Sequence, residues 1–184
     1  MRYFVIIAVI LSVLASSYGV WITQSLQTQI EEITTRLTQF EDEQRTLHIP
    51  LEGGDIALYF VKTTDTDFLL ESVTRSVAET PSPLLALTLL LNGPMPQEEL
   101  APSVPPGTRL INLKIANDLA TANFSEEIRT QFIGGAQLES HLVSAIVKTL
   151  TQFPYIQEVQ ILINGEIVES IAGHIVIDNP LSTN

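Results

Sequence analysis

Three histidines, a Ser-His neighbour pair and several acidic pairs are the side chains with chemistry to offer. His48, His141 and His174 are far apart in the chain and fit neither an H-x-x-x-H nor an H-E-x-x-H spacing, so no ligand set for a metal is legible. Ser140 and His141 fall on a predicted helix, where neighbours project about 100° apart, so the hydroxyl does not reach the imidazole as nucleophile to base. Asp65 and Asp67 have the spacing that opens a calcium loop. Leu69 stands at the third ligand position and Leu70 where glycine is required, so a polar turn is the better reading. Glycoside hydrolysis needs two carboxyls facing each other across a bond, about 5 to 10 Å apart. Glu98-Glu99 and Glu126-Glu127 are adjacent pairs in a loop and at a helix start, where acids serve solvation and the positive helix end. Gly53-Gly54 and Gly134-Gly135 lack the spacing of a phosphate-cradling loop and have no basic residue beside them. Asn123-Phe124-Ser125 fits the N-glycosylation acceptor, a pattern short enough to arise by chance. The chain has no cysteine, which excludes disulfides, thiolate chemistry and Cys-based zinc sites. The residues predict no catalytic group, no cofactor and no metal: a protein that is not an enzyme.

The elements that carry these side chains are organised around residues 136–164. Leu138, Leu142, Ala145, Ile146, Thr149 and Phe153 recur at spacings of three and four, one stripe of a helix. Pro154 ends it, and two residues later the period changes to two: Val159, Ile161 and Ile163 face one way and Gln160 the other, which predicts a strand. Upstream, residues 56–61 are apolar on both faces and predict a central strand; residues 63–67 predict a turn, and residues 68–77 a more exposed strand carrying Glu71 and Arg75. Ser82-Pro83 is a helix start and Gly93-Pro94 its end, around leucines that go almost all the way round. Five prolines between Pro94 and Pro106 predict a long, stiffened surface loop. Residues 109–116 alternate, with Ile111, Leu113 and Ile115 inward. Asn117-Asp118 is a hairpin signal, and the chain returns through Ala120, Ala122 and Phe124 on the core side. Ser125 caps a short predicted helix, Asn164-Gly165 predicts a further hairpin, residues 166–171 a last strand, and residues 179–184 a loose tail.

Residues 3–22 form a run without charge behind Arg2, at about 1.5 Å per residue long enough to cross a bilayer's hydrocarbon. The run is read as a retained membrane anchor, with Tyr18 and Trp21 suited to an interface, or as a signal cleaved near Val13-Leu14-Ala15. Either way the rest of the chain is expected outside the cytoplasm. Residues 23–49 follow as a predicted stalk helix whose Leu26, Ile30, Ile33, Leu37 and Phe40 make a heptad seam, a candidate for self-association or the apolar side of a single helix. Pro50 stops it, and residues 50–54 are a linker to a domain at 55–178. The net charge of −12 divides into +1 before residue 23, −3 across residues 23–49 and −10 beyond. So acidic a domain has little attraction for nucleic acid, which is excluded as a partner.

The run TLTQFP at 149–154 and the V-x-I-L-I-N-G strand at 159–165 carry a family resemblance, together with YFV at 59–61, L-L-N-G-P at 90–94 and V-P-P-G-T-R-L at 104–110. In this order they resemble the GerMN domain, named for proteins of bacterial spore formation and germination, over residues 55–178. The resemblance implies a compact α/β module similar to ring-building motifs of envelope secretion machines. The family's spore-forming representative is linked to channel assembly and wall remodelling and looks like a tandem pair, whereas one module is found here. Family members often carry a lipid-modified cysteine, which this chain lacks. The expected fold is α+β, a two-layer sandwich of helices on one mixed sheet, behind a transmembrane helix and a short stalk helix. The expected function is a membrane-anchored, extracytoplasmic, non-catalytic assembly module of a bacterial envelope, with the membrane, envelope proteins or itself, and peptidoglycan as partners. A cell-wall glycan or small-ligand binding module is the alternative, and a peptidoglycan hydrolase the third.

Overall fold

In the computed structural model the described residues are 53–183, together with Thr34 and Arg36, which are helical. The expected anchor, the heptad seam of Leu26, Ile30, Ile33, Leu37 and Phe40, and His48 lie outside the described residues. Among the described residues no helix is long and apolar enough to cross a membrane.

The domain runs β1 (Gly54–Thr63), β2 (Phe68–Val77), α1 (Pro83–Asn92), β3 (Leu110–Ala116), β4 (Leu119–Phe124), α2 (Glu127–Thr130), α3 (Ala136–Thr151) and β5 (Glu158–Ile163). It is α+β, but the strands form two sheets rather than one: β1 pairs antiparallel with β2, and β3-β4-β5 make a separate mixed sheet. The physical reason lies on the outer edge of β1. There Gln152, just past the end of α3, accepts from the Ala57 N–H at 2.9 Å and donates to its carbonyl at 3.0 Å. Ser103 Oγ donates to the Tyr59 carbonyl at 2.8 Å, and Ala101 exchanges two backbone bonds with Val61. These groups take positions that another strand would need, so the sheet stops.

Helix α3 packs against both sheets and α1. That explains why Val143, Val147 and Leu150 are buried together with Leu142, Ala145, Ile146 and Thr149 of the expected stripe, of which Leu138 is only half-buried: a helix covered on more than one side needs more than one apolar face. Ile56, Leu58 and Phe60 of β1, Ala120, Ala122 and Phe124 of β4, and Val159, Ile161 and Ile163 of β5 complete one core. Gln160 points away from it, as expected, yet is also buried, because the segment beyond β5 folds over it and the Ile177 carbonyl accepts from its amide at 2.9 Å.

Several expectations change. Arg75 is buried, its guanidinium 5.3 Å from the centre of the Phe60 ring. The proline-rich stretch is not a free surface loop; it contains a single 3-10 turn, Pro96–Glu98, and buries Ser103, Val104 and Thr108. Ser125 does not cap α2: its hydroxyl accepts from the Arg109 N–H, tying the entry of β3 to the exit of β4. Residues 166–171 form no strand: Glu166 keeps a bridge to Ile163 and the Glu169 carbonyl accepts from the Ile177 N–H, and the expected loose tail is pinned where Leu181 exchanges two backbone bonds with Val159. Ile111 and Ile115 are exposed, because β3 is an edge strand with an irregular register between Leu110 and Asn112, and the core does not extend beneath its rim.

Leu142 is fully buried on α3. Leu142→Ala should therefore cost about 2 to 5 kcal/mol of domain stability by leaving a cavity. A shift in chemical denaturation equivalent to less than about 1 kcal/mol would show that this helix face is not the core.

Candidate functional site

Most of the described acidic and histidine side chains with potential chemistry are engaged in holding the fold, whereas Asp65 and Glu99 are exposed. Asp67 closes the β1-β2 turn: its carboxylate accepts from the Phe68 N–H and from the Gln137 amide, and the Gln137 bond leads in holding its pKa below the usual aspartate range. His141 is on the same rim, its Nε2 2.9 Å from the Phe68 carbonyl, with Ser140 one residue away on α3 and not its partner. Glu98 belongs to an almost buried ion pair, its Oε2 2.9 Å from the Arg75 guanidinium and 2.6 Å from the Met95 N–H. Burial pushes its carboxyl up, but Arg75 and that N–H outweigh it and hold it low. Glu126 meets Asn164 and Arg129, and Glu127 meets Arg109 at 3.2 Å. Asn123 of the glycosylation tripeptide accepts from Gly165 N–H, and Phe124 of the same tripeptide is fully buried.

Periodicity did not single out Glu139, the most deeply placed carboxylate. It lies in the first turn of α3 with a side chain that is fully buried. Its oxygens accept from the N–H groups of Ile171, Ala172 and His174 at 2.8 to 3.1 Å, and Oε2 lies 2.8 Å from His174 Nδ1. Arg129 grips the same loop from its carbonyl side, donating to Ile171 and Ser170. Burial raises the Glu139 pKa, but the N–H of Ala172 and the bonds from His174 more than compensate, so it stays ionised below the usual range. The signal available in the sequence was a charged residue next to the apolar stripe, and nothing local says that a loop more than thirty residues on supplies its partners. Among the described residues no group of three or more His, Asp and Glu is placed to hold a metal.

Apart from these groups, several concave regions lie on the surface of the described residues. A groove of about 370 Å³ runs between the start of α1 and β3, lined by Pro83, Leu84, Ile111, Leu113 and Ile115; Leu84 and Ile111 are more than half exposed. A smaller cleft of about 200 Å³ lies between Pro102, Pro105, Pro106, Phe132 and Leu138. A polar cleft of about 430 Å³ is lined by Asn117, Asp118, Thr151, Gln157, Glu158 and Ser182. The first is the apolar rim on which the inward reading of Ile111 and Ile115 failed.

The sequence model of the Germane family, described as sporulation and spore germination, matches residues 57–169, more than half of the chain. A search of curated proteins finds no significant match. Among solved structures, a candidate lipoprotein from Clostridium perfringens is 27% identical with a TM-score of 0.52, over 71% of this chain and 88% of that one. The first GerMN domain of the sporulation protein GerM from Bacillus subtilis aligns with a TM-score of 0.54 at 24% identity, over 71% of this chain and 98% of the domain. The tandem GerMN domains of the same protein align with a TM-score of 0.58 at 22% identity, and there the match spans 45% of the longer chain. The fold of the described residues 53–183 is thus that of a GerMN domain.

Because its folded pKa is depressed, Glu139 contributes stability above the ordinary glutamate pKa of about 4.3 and loses it as pH falls through the lower folded value. Glu139→Gln should cost about 1 to 3 kcal/mol at neutral pH, by weakening three backbone bonds and the His174 pair. Urea midpoints from pH 6 to pH 3 check both points, and the gap between wild type and variant should narrow towards the acid end. A gap that stays constant would mean that the charge of Glu139 is not what holds the loop.

Proposed function

The chain belongs to the Germane family of sporulation and spore germination, and from that premise we propose that it is a non-catalytic assembly module of a bacterial cell envelope, membrane-anchored and extracytoplasmic. The observation that carries this reading is the apolar rim of β3 and α1, where Leu84, Ile111 and Ile115 are exposed together around one groove on an otherwise acidic domain. Contiguous exposed apolar surface of this kind marks sites of protein interaction. The similarity to a candidate lipoprotein supports attachment at a membrane. Since this chain has no cysteine to carry a lipid, residues 3–22 take the anchoring role, and the seam of Leu26, Ile30, Ile33, Leu37 and Phe40 brings stalks together in the plane of the membrane. A role in sporulation or in another envelope process fits this arrangement.

A second reading, a module that binds peptidoglycan glycan, is favoured by the polar cleft at Asn117, Asp118 and Gln157, whose amide and carboxyl groups suit sugar hydroxyls. Under that reading, purified wall material would retain the protein, and Gln157→Ala would release it.

Cross-linking in the native envelope followed by identification of neighbours tests the assembly reading. Wild type should be recovered joined to itself or to envelope proteins, and Ile33→Asp should lower self-capture through the stalk. Recovery as an isolated monomer would overturn the reading. A companion assay incubates pure protein with wall material and expects no release of glycan fragments. Variants for it should be Glu99→Gln, Glu126→Gln and Glu127→Gln, because Glu98 is needed by Arg75. Release by the wild type that any of these abolishes would make the protein a hydrolase.

A further inference from the structure

The four outer edges of the two sheets are treated differently. Those of β1 and β5 are closed, the first by Gln152, Ser103 and Ala101 and the second by Leu181 and Glu166. The edge of β2 is capped at the Phe68 carbonyl by Gln137 and His141 and is polar beyond it, with Glu71, Ser72, Thr74 and Ser76 exposed, a composition that discourages strand addition. The edge of β3 is open and apolar. Asn117 and Asp118 both have positive φ, 51° and 62°, and close the β3-β4 hairpin at the Ala116–Leu119 pair. From that closure the ladder alternates, so the N–H and C=O groups of Leu113 and Ile115 point away from β4. Among the described residues nothing bonds to them.

We propose that this edge docks a second copy of the chain, β3 against β3, antiparallel about a twofold axis through Leu113. The inference rests on the assembly reading above and names its partner and interface. The sequence from 111 to 115, I-N-L-K-I, has the same apolar-polar alternation in both directions. With Leu113 on the axis, the two Leu113 residues exchange backbone bonds, Ile111 faces Ile115 of the second copy, and Lys114 faces Asn112 of the second copy. The rival register, centred on Lys114, would set two ammonium groups directly opposite each other, which is repulsive. In the favoured register Ile115 of the second copy lies over the groove bounded by Leu84 and Ile111, so the patch that is exposed in one copy covers the same patch in the other, as an isologous interface requires. Charge points to the same rim: β3 carries one positive charge in a domain of −10, so two acidic copies repel each other least there. The contact is short, and confinement of both copies to one membrane supplies the effective concentration that it needs.

The absence of native cysteine makes the register measurable. Full-length protein with Asn112→Cys is combined in membranes with full-length protein carrying Lys114→Cys, and disulfide dimers are followed. In the Leu113-centred register these positions form a non-hydrogen-bonded pair with Cα atoms about 4.5 Å apart, within disulfide reach. The mixture should therefore cross-link several-fold faster than either variant alone. Ile115→Lys in both chains should remove most of that cross-linking and leave the thermal melt unchanged, since Ile115 is already 38% exposed. A parallel sample with Ile30→Cys in the stalk reports association of any other geometry. Cross-linking at Ile30→Cys without an excess in the mixture means that β3 is not the interface, while the assembly reading stands. Capture of a different envelope protein at 112 or 114 overturns the proposed partner, and no cross-linking from any position sinks the assembly reading with it.

Discussion

Burial of α3 against both β-sheets at once is the interaction on which the remaining packing depends, because the sheets are hydrogen-bonded separately and share one core through it. The helix works through its ends as well as its sides. Its first turn carries Glu139 into the interior, where the carboxylate collects the N–H groups of the 171–174 loop. Just past its last turn, Gln152 completes the backbone bonding of Ala57 on β1. One helix thereby fixes the segment that covers β5 and the point at which the first sheet must stop.

The polar groups follow a consistent rule. A buried charge in this domain has a partner that is itself held in place: Arg75 has Glu98 and the Gly93 carbonyl, and Glu139 has three N–H groups and His174. Removing one partner leaves the other desolvated and unpaired, which is far more costly than the net worth of the pair. This is why Glu98 and Glu139 are tied to structure. It also separates them from the surface that is free to act, an apolar rim with unpaired backbone on one edge strand.

The rim connects the fold to the proposed role. A GerMN domain that covers the edges of β1 and β5, keeps that of β2 polar and leaves that of β3 apolar has one strand suited to addition. Its proximity to the start of α1 provides the groove that makes such addition selective for side chains as well as for backbone.

Local pattern was enough for much of the domain. The period of α3 and its stop shortly before Pro154, the cap of α1 by Ser82, the Asn117-Asp118 turn and the alternation of β4 and β5 all depend on neighbours within a few residues, and the family resemblance rests on the same stretches. Pairings across long separations were not legible. That Arg75 would be buried depended on Glu98, that Glu139 would be buried on a loop beyond β5, and that Leu181 would be held on the edge of Val159. The inward reading of Ile111 and Ile115 failed for a related reason: alternation tells which residues share a face of a strand, but only the tertiary structure decides how far the core extends beneath it. At β3 the core ends before the strand does, so residues with the pattern of an interior became the exposed rim.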